Sequence, residues 1–366
     1  MPQAWQLVGS AGFTPDFLQY TSLAFHPSTS RPYLSYQDGN ASSRATVMAF
    51  DGSATWAPVG LPGFSTGMAM FTSLALQPNS SIPYVAYQDG YSPGSATVMA
   101  YDGSAWGLVG LRGFSAGFVA FTSLAMEPNS SIPYLAYQDG GHSSKATVMR
   151  FDGSAWLTVG LAGFSAGAAA YTSLAFAPDT SVAYVAYKDG GTSPAGKATV
   201  MRFDGSAWLT VGSAGFSGTV STFIAGGLSL AIQPNSSLPH VAYLDGGNSD
   251  AATVMAFDGA STWAPVGLAG ATARFICLAF SPTSQPYVAY VHYASSQKAS
   301  VQVYDGAAAW RPVGATDFSN GSVSYLSFGI TATNELYIAF QDGSNSGAGT
   351  VMKYAAVMQS AGPPPR

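Results

Sequence analysis

The stretch YTSLAFAPDTSVAYVAYKDGGTSPAGKATVMRFDGSAWLTVG, from Tyr171 to Gly212, holds four short runs rich in Val, Tyr, Phe, Thr and Trp. They are TSLAF, AYVAYKD, KATVMRF and SAWLTVG, and Gly, Pro, Asp and Ser bound each of them, which is the pattern of short β-strands. Asp204-Gly205, between the third and fourth runs, is a strong hairpin signal, because a type I′ turn needs positive φ at both central residues. No stretch shows apolar residues recurring at i, i+3, i+4 and i+7, so helix is not expected.

Working outward, the same text recurs almost word for word from Phe71 and from Phe121. The tryptophans fall at Trp5, Trp56, Trp106, Trp156, Trp208, Trp263 and Trp310, with spacings of 51, 50, 50, 52, 55 and 47, one per period. The fifth unit starts at Leu228 after an enlarged loop, Gly215 to Gly227; the sixth starts at Phe275 and the seventh, the most eroded, at Tyr325. Four antiparallel strands per unit and seven units describe an all-β fold, the seven-bladed β-propeller. The chain opens on AWQLVG, a fourth strand without its first three, and GTVMKY near its end is a third strand without a fourth. The expectation is that the N-terminal strand completes the last blade and closes the ring, removing exposed sheet edges. One domain is thus expected over residues 1–354, followed by an extended Pro-rich tail or linker at 355–366.

Only 8% of the 366 residues are charged, 13 Lys+Arg against 18 Asp+Glu, where a soluble domain averages ~25%. Stacked blades bury both faces of their strands, which accounts for the deficit. Seven Trp, 20 Tyr and 21 Phe exclude intrinsic disorder. No apolar run approaches the ~18 residues of a membrane helix. A net charge of −5 argues against nucleic acid as a partner, which calls for a basic stripe. The single cysteine, Cys277, excludes an internal disulfide and a cysteine-based metal cluster.

The units resemble the kelch-type propeller repeat, in which the second strand ends in a Gly pair, the third in an aromatic, and a Trp follows about six residues later. Gly140-Gly141, Gly190-Gly191 and Gly246-Gly247 supply the pairs. Phe50 to Trp56, Phe257 to Trp263 and Tyr304 to Trp310 are six apart; Tyr101 to Trp106, Phe151 to Trp156 and Phe203 to Trp208 are five apart. A Gln-Asp-Gly text in place of the plain Gly pair departs from that pattern. The DGSAW hairpin also looks like the Asp-box of sialidase-type propellers, one residue short. The resemblance implies a protein- or glycan-binding platform. It also includes copper oxidases, whose Cys-Tyr pair and two His ligands this chain does not match.

Asp38, Asp89, Asp139, Asp189, Asp245 and Asp342 end the second strand of six units, and Asp51, Asp102, Asp152, Asp204, Asp258 and Asp305 sit in the turn before the Trp strand. Asp before Gly ordinarily hydrogen-bonds its own turn. As a ring on the face of the inter-blade loops, the first set is a candidate to hydrogen-bond sugar hydroxyls or to hold Ca²⁺, which favours clustered oxygens; no EF-hand spacing accompanies it, and no other cofactor or metal is expected. What one blade does differently is a second filter: Arg112 and His142 in the third unit, Lys188 in the fourth, and His292-Tyr293 in the sixth, where other units read Gln-Asp-Gly. Phe64, Phe114, Phe164 and Phe216 in the GFS loops suit either stacking on a sugar or plugging the seams between blades.

Enzyme signatures are missing. His26, His142, His240 and His292 are scattered over four units, and Glu127 and Glu335 lie in different blades, so a close pair of carboxylates for glycoside hydrolysis is not expected. Asn40, Asn79, Asn129, Asn235 and Asn320 each open an N-x-Ser/Thr sequon, the acceptor pattern of secreted proteins, although three are copies of one turn. The expectation is a non-catalytic binding or adhesion module for a glycan or protein partner, a monomeric domain within a larger extracellular or cell-surface assembly, with a cytoplasmic location as the other option. The alternatives are a polysaccharide-active hydrolase or lyase, and a purely structural repeat of a surface filament.

Overall fold

The structure is a computed structural model that describes residues 3–356 apart from 93, 223–226, 307 and 308. β1 (Gln3–Leu7) comes first. Unit one is β2 (Leu18–Phe25), β3 (Pro32–Asp38), β4 (Arg44–Phe50) and β5 (Trp56–Pro58); unit two is β6 (Ala69–Leu76), β7 (Pro83–Asp89), β8 (Ser95–Tyr101) and β9 (Trp106–Leu108). Unit three is β10 (Val119–Met126), β11 (Pro133–Asp139), β12 (Lys145–Phe151) and β13 (Trp156–Thr158); unit four is β14 (Ala169–Phe176), β15 (Ala183–Asp189), β16 (Lys197–Phe203) and β17 (Trp208–Thr210). Then follow β18 (Leu228–Ile232), β19 (Pro239–Asp245), β20 (Ala251–Phe257), β21 (Trp263–Phe280), β22 (Pro286–His292), β23 (Lys298–Tyr304) and β24 (Trp310–Pro312). The last unit is β25 (Val323–Ile330), β26 (Leu336–Asp342) and β27 (Ala348–Ala356), with β1 antiparallel beside β27 and Trp5 opposite Tyr354.

One departure from seven separate four-stranded sheets is visible. β18 to β24 form a single seven-stranded sheet, because β21 serves as the fourth strand of unit five and the first strand of unit six. The other units turn between these strands through a GF-S loop; here that loop is deleted, and the chain runs straight through. Short 3₁₀ turns at Gly140–His142, Gly246–Asn248 and Gly343–Asn345 supply the helix. The tail expected at 355–366 lies outside the described residues from 357 onward, and β27 continues through Ala356.

The core is a series of seams between neighbouring blades. Val85, Tyr87, Val98, Leu135, Tyr137 and Val148, from the second and third strands of units two and three, are at most 1% exposed. These strands bury nearly every residue, which is why they read as continuous apolar text without alternating charge. Each tryptophan ties its blade to the previous one: Trp56, Trp106, Trp156, Trp208 and Trp263 donate Nε1–H to the carbonyls of Val8, Val59, Val109, Val159 and Val211 at 2.7–2.8 Å. Trp5 likewise donates to Val313 at 2.8 Å. Serines of the first strands add a second tie, as in the bonds from the Leu74 and Leu124 amides to Ser22 and Ser73 Oγ. The first and seventh units are joined in the same way, the Leu23 amide donating to Ser327 Oγ.

Candidate functional site

The strand-two carboxylates do not form an exposed ring. Asp38, Asp89, Asp139, Asp189 and Asp342 are 0–3% exposed, and Asp245 is half-buried. Each closes its own turn: Oδ1 accepts from the amide two residues on, at Asn40, Tyr91, Gly141, Gly191, Gly247 and Ser344. In five units Oδ2 also accepts from a threonine on the third strand, at Thr46, Thr97, Thr147, Thr199 and Thr350. That threonine in turn accepts from the inter-blade loop, as from Gly63, Gly113, Gly163 and Gly215. Loop amide, threonine and buried carboxylate thus form one relay that fixes the loop on its blade. The loop glycines need φ of +60° to +64°, which is why glycine holds this station.

Most blade-specific residues attach to that relay. His142 Nδ1 lies 2.9 Å from Asp139 Oδ2. Arg112 Nε lies 3.8 Å from Asp89, with the guanidinium 5.2 Å from the Tyr91 ring. Lys188 takes the place of glutamines that bridge to the next blade: Gln37 and Gln341 donate Nε2–H to Ala69 and Leu18 carbonyls at 2.9 and 2.7 Å, and Lys188 Nζ reaches Ser221 O at 3.4 Å. Burial lowers its pKa below the usual lysine range. In unit six the carboxylate has moved. His292 occupies the aspartate slot, and Asp317, at φ +55°, occupies the glycine station of the loop. Asp317 accepts from His292 Nδ1 at 2.9 Å and Ser300 Oγ at 3.0 Å, while its own amide donates to Ser300. Its pKa is lowered, the hydrogen bonds outweighing desolvation. Tyr293 lies under Arg274, 3.9 Å from the guanidinium to the ring centroid.

The loop phenylalanines plug the seams. Phe64, Phe114, Phe164 and Phe216 stack on Trp106, Trp156, Trp208 and Trp263 at 3.9–4.6 Å, within 14° of parallel. Beside two of these pairs the rim opens into clefts. The cleft between units one and two, about 540 Å³, is walled by Arg44, Leu61, Phe64, Ser65, Thr66, Ser104 and Trp106. Ser213, Phe216, Ser261, Thr262 and Trp263 wall its counterpart between units four and five. Leu61, Leu111 and Leu161, one per loop, are 74–79% exposed.

A collar of aromatics in the central channel escaped the sequence reading. Tyr20, Phe71, Phe121, Tyr171, Phe275 and Tyr325 all sit at φ between +47° and +54°, next to a bulge in the first strand. Such bulky residues seldom adopt that region. Neighbouring rings lie 4.8–5.6 Å apart around a channel cavity of about 200 Å³. The following threonines, Thr21, Thr72, Thr122 and Thr172, donate to the carbonyl of the previous blade's aromatic, which holds the bulge. At the matching place in unit five is Gly227, where a Cβ would lie 3.1 Å from the Tyr171 ring. The signal for the collar was the aromatic opening each Y/F-T-S-L run, read as strand text only.

Five of the turn aspartates are exposed, and Asp305, half-buried, pairs with Arg311 at 3.0 Å. Asp102 and Asp152 Oδ1 accept from two amides and a serine hydroxyl of their own turns, and both carboxyls are held down at about 2. His240 is buried against Phe280, and desolvation pushes its pKa down to about 4. Burial pushes the Cys277 thiol up to about 11. Asn40, Asn79, Asn129, Asn235 and Asn320 are all exposed. Among the described residues no group of three or more His, Cys, Asp or Glu is placed to hold a metal, and no helix is long and apolar enough to cross a membrane.

No family model matches the chain, and no curated protein matches it. Solved structures do. Virginiamycin B lyase from Staphylococcus aureus, in complex with quinupristin, aligns at a TM-score of 0.61 and 8% identity, over 97% of this chain and 100% of that one. An ulvan lyase, representing a new family of polysaccharide lyase, aligns at 0.57 and 12% identity, over 97% and 96%. The Aleuria aurantia lectin, in complex with Fucα1-6GlcNAc, aligns at 0.54 and 15% identity, over 84% and 97%. The likeness establishes the propeller fold. These neighbours are lectins and lyases and do not single out the kelch type that the repeat text resembles.

Proposed function

We propose that the chain is a non-catalytic glycan-binding module of an extracellular or cell-surface assembly, taking sugars into the clefts between blades at its rim. The carrying observation is the cleft between units one and two: an exposed cation at Arg44, serine and threonine hydroxyls, and the edge of a Phe64–Trp106 stack meet around about 540 Å³. Saccharides present hydroxyls on one face and C–H groups on the other, and such a wall matches both. The same fold holds a fucosylated disaccharide in the Aleuria lectin. The strand-two carboxylates are committed to their turns, which speaks against a Ca²⁺ ring or an acid pair built from them. A glycan array on the chain, with and without Ca²⁺, tests it: binding independent of Ca²⁺ and weakened by Thr66→Trp, which places a bulky ring at an exposed position of the cleft wall, is expected. Silence across the array refutes it.

A second reading, a polysaccharide-active enzyme, has one observation in its favour. His292, held through Nδ1 by Asp317, keeps Nε2 as the remaining ring nitrogen, the arrangement of an oriented base. Incubation with polysaccharides, followed by assay of new reducing or unsaturated ends, distinguishes the two. Turnover abolished by His292→Ala would establish the enzyme.

A further inference from the structure

The residue that opens the third strand of each blade stands in register with the second-strand end, and its identity varies from unit to unit. Arg44 pairs with Asp38, Lys145 with Asp139, Lys197 with Asp189 and Lys298 with His292. Ser95, Ala251 and Ala348 hold the same station in units two, five and seven. Four of the chain's 13 Lys+Arg are therefore spent on one structural position. In unit one that position lies in the cleft wall with Leu61, Phe64 and Trp106. The loop glycine marks the equivalence: a Cβ on Gly63 would lie 3.5 Å from Arg44 Cβ, and one on Gly215 would lie 3.4 Å from Lys197 Cβ.

Among the described residues the ion pairs involve Arg112, His142, His292, Arg311 and Lys353, and none involves Arg44, Lys145, Lys197 or Lys298. The register partners Asp38, Asp139 and Asp189 are buried and hydrogen-bonded inward. Asp102, next to the cleft residue Ser104, turns its carboxylate onto its own amides. In a chain of net charge −5 and so few charges, unpaired cations at a repeated rim station are a selective feature. We propose that the inter-blade clefts at units one and four, the first walled by Arg44 and the second beside Lys197, select acidic glycans, those bearing a uronate carboxylate or a sulfate ester. This rests on the glycan-binding reading above. Unit six is set apart, since Asp317 replaces the loop glycine beside its lysine.

Four oligosaccharide probes of one backbone test this: uronate-bearing, its carboxyl-reduced form, sulfated, and desulfated. Binding is measured by calorimetry to the full chain and to Arg44→Ala, Lys197→Ala and the double variant. Arg44 is exposed and Lys197 half-buried, so unchanged thermal unfolding verifies that the variants fold. The acidic probes should bind at least tenfold more tightly than their neutral partners. Each substitution should cost about tenfold, equivalent to about 1.4 kcal/mol, and added salt should erase the difference. A longer acidic chain that reaches two clefts should gain roughly a further 10²-fold, lost in the double variant. The uronate and sulfate arms identify which anion is preferred. Equal affinity for acidic and neutral probes, or acidic binding indifferent to both substitutions, overturns the selectivity while leaving a glycan-binding module. No binding to any of the four probes overturns both.

Discussion

Removing the Asp139 side chain should destabilise the propeller without touching ligand binding. The carboxylate is 1% exposed and accepts from Gly141 N at 2.9 Å, Thr147 Oγ1 at 2.8 Å and His142 Nδ1 at 2.9 Å. Hydrogen bonds to charged groups contribute ~1.5–3 kcal/mol each, and a donor left buried without a partner costs its desolvation. The three bonds act as a unit, so their losses do not add, and Asp139→Ala should cost about 4 kcal/mol. With an unfolding entropy of about 2.1 cal/mol/K per residue over 366 residues, that is a fall in Tm of about 5 °C. Asp139→Asn keeps the acceptor for Gly141 but turns an amide toward Thr147, and should lose about half as much. Asp245→Ala is the internal control: it is half-buried and bonded to the Gly247 amide, so a loss of about 1 kcal/mol is expected. Thermal unfolding followed by circular dichroism, with denaturant titration beside it, reads all three. The refuting result is an unchanged Tm for Asp139→Ala together with weakened glycan or Ca²⁺ binding. That would return the carboxylates to the role of a ligand ring.

Three further outcomes follow from the same geometry. His240 has its pKa pushed from 6.5 down to about 4 by burial, so the unfolded chain binds the proton first; its contribution is complete above pH 6.5 and is lost as pH falls toward 4, about 3 kcal/mol at most. His240→Tyr, copying Tyr84 and Tyr134, should flatten stability across that window in pH-dependent unfolding. Trp106→Phe should keep the stack on Phe64 but orphan the Val59 carbonyl, costing about 1–2 kcal/mol by denaturant titration; a neutral result would show that the indole bond is replaced by water. Gly227→Ala should lower Tm, because its Cβ would meet the Tyr171 ring at 3.1 Å, and Gly52→Ala should lower it less. At Gly52 the positive φ is strained but nothing lies within 4 Å.

The repeat, its four strands and the number of units were legible in the residues, because each strand is punctuated locally: Asp-Gly forces the turn before the Trp strand, PNSS another, and one tryptophan counts each blade. The turn role of the aspartates was legible as chemistry, since Asp before Gly can reach its own amides. Their burial was not, because it depends on Thr147 and the Gly163 amide arriving from a different strand and loop. The fusion of units five and six through β21 was visible only as a missing loop; whether the chain would turn or run through was decided by pairing on both sides. Burial also decided the standing of the blade-specific residues. Arg112 and His142, candidates for ligand contact from the sequence, are partners of buried carboxylates, while Asp317, not among those candidates, carries the displaced carboxylate of unit six. The aromatic collar depends on a bulge that the alternation of a strand does not announce. Local backbone preference is thus enough to write out the blades. Which side chains face the sealed seams and which face the open clefts is set by how blades stack, and so belongs to the tertiary structure alone.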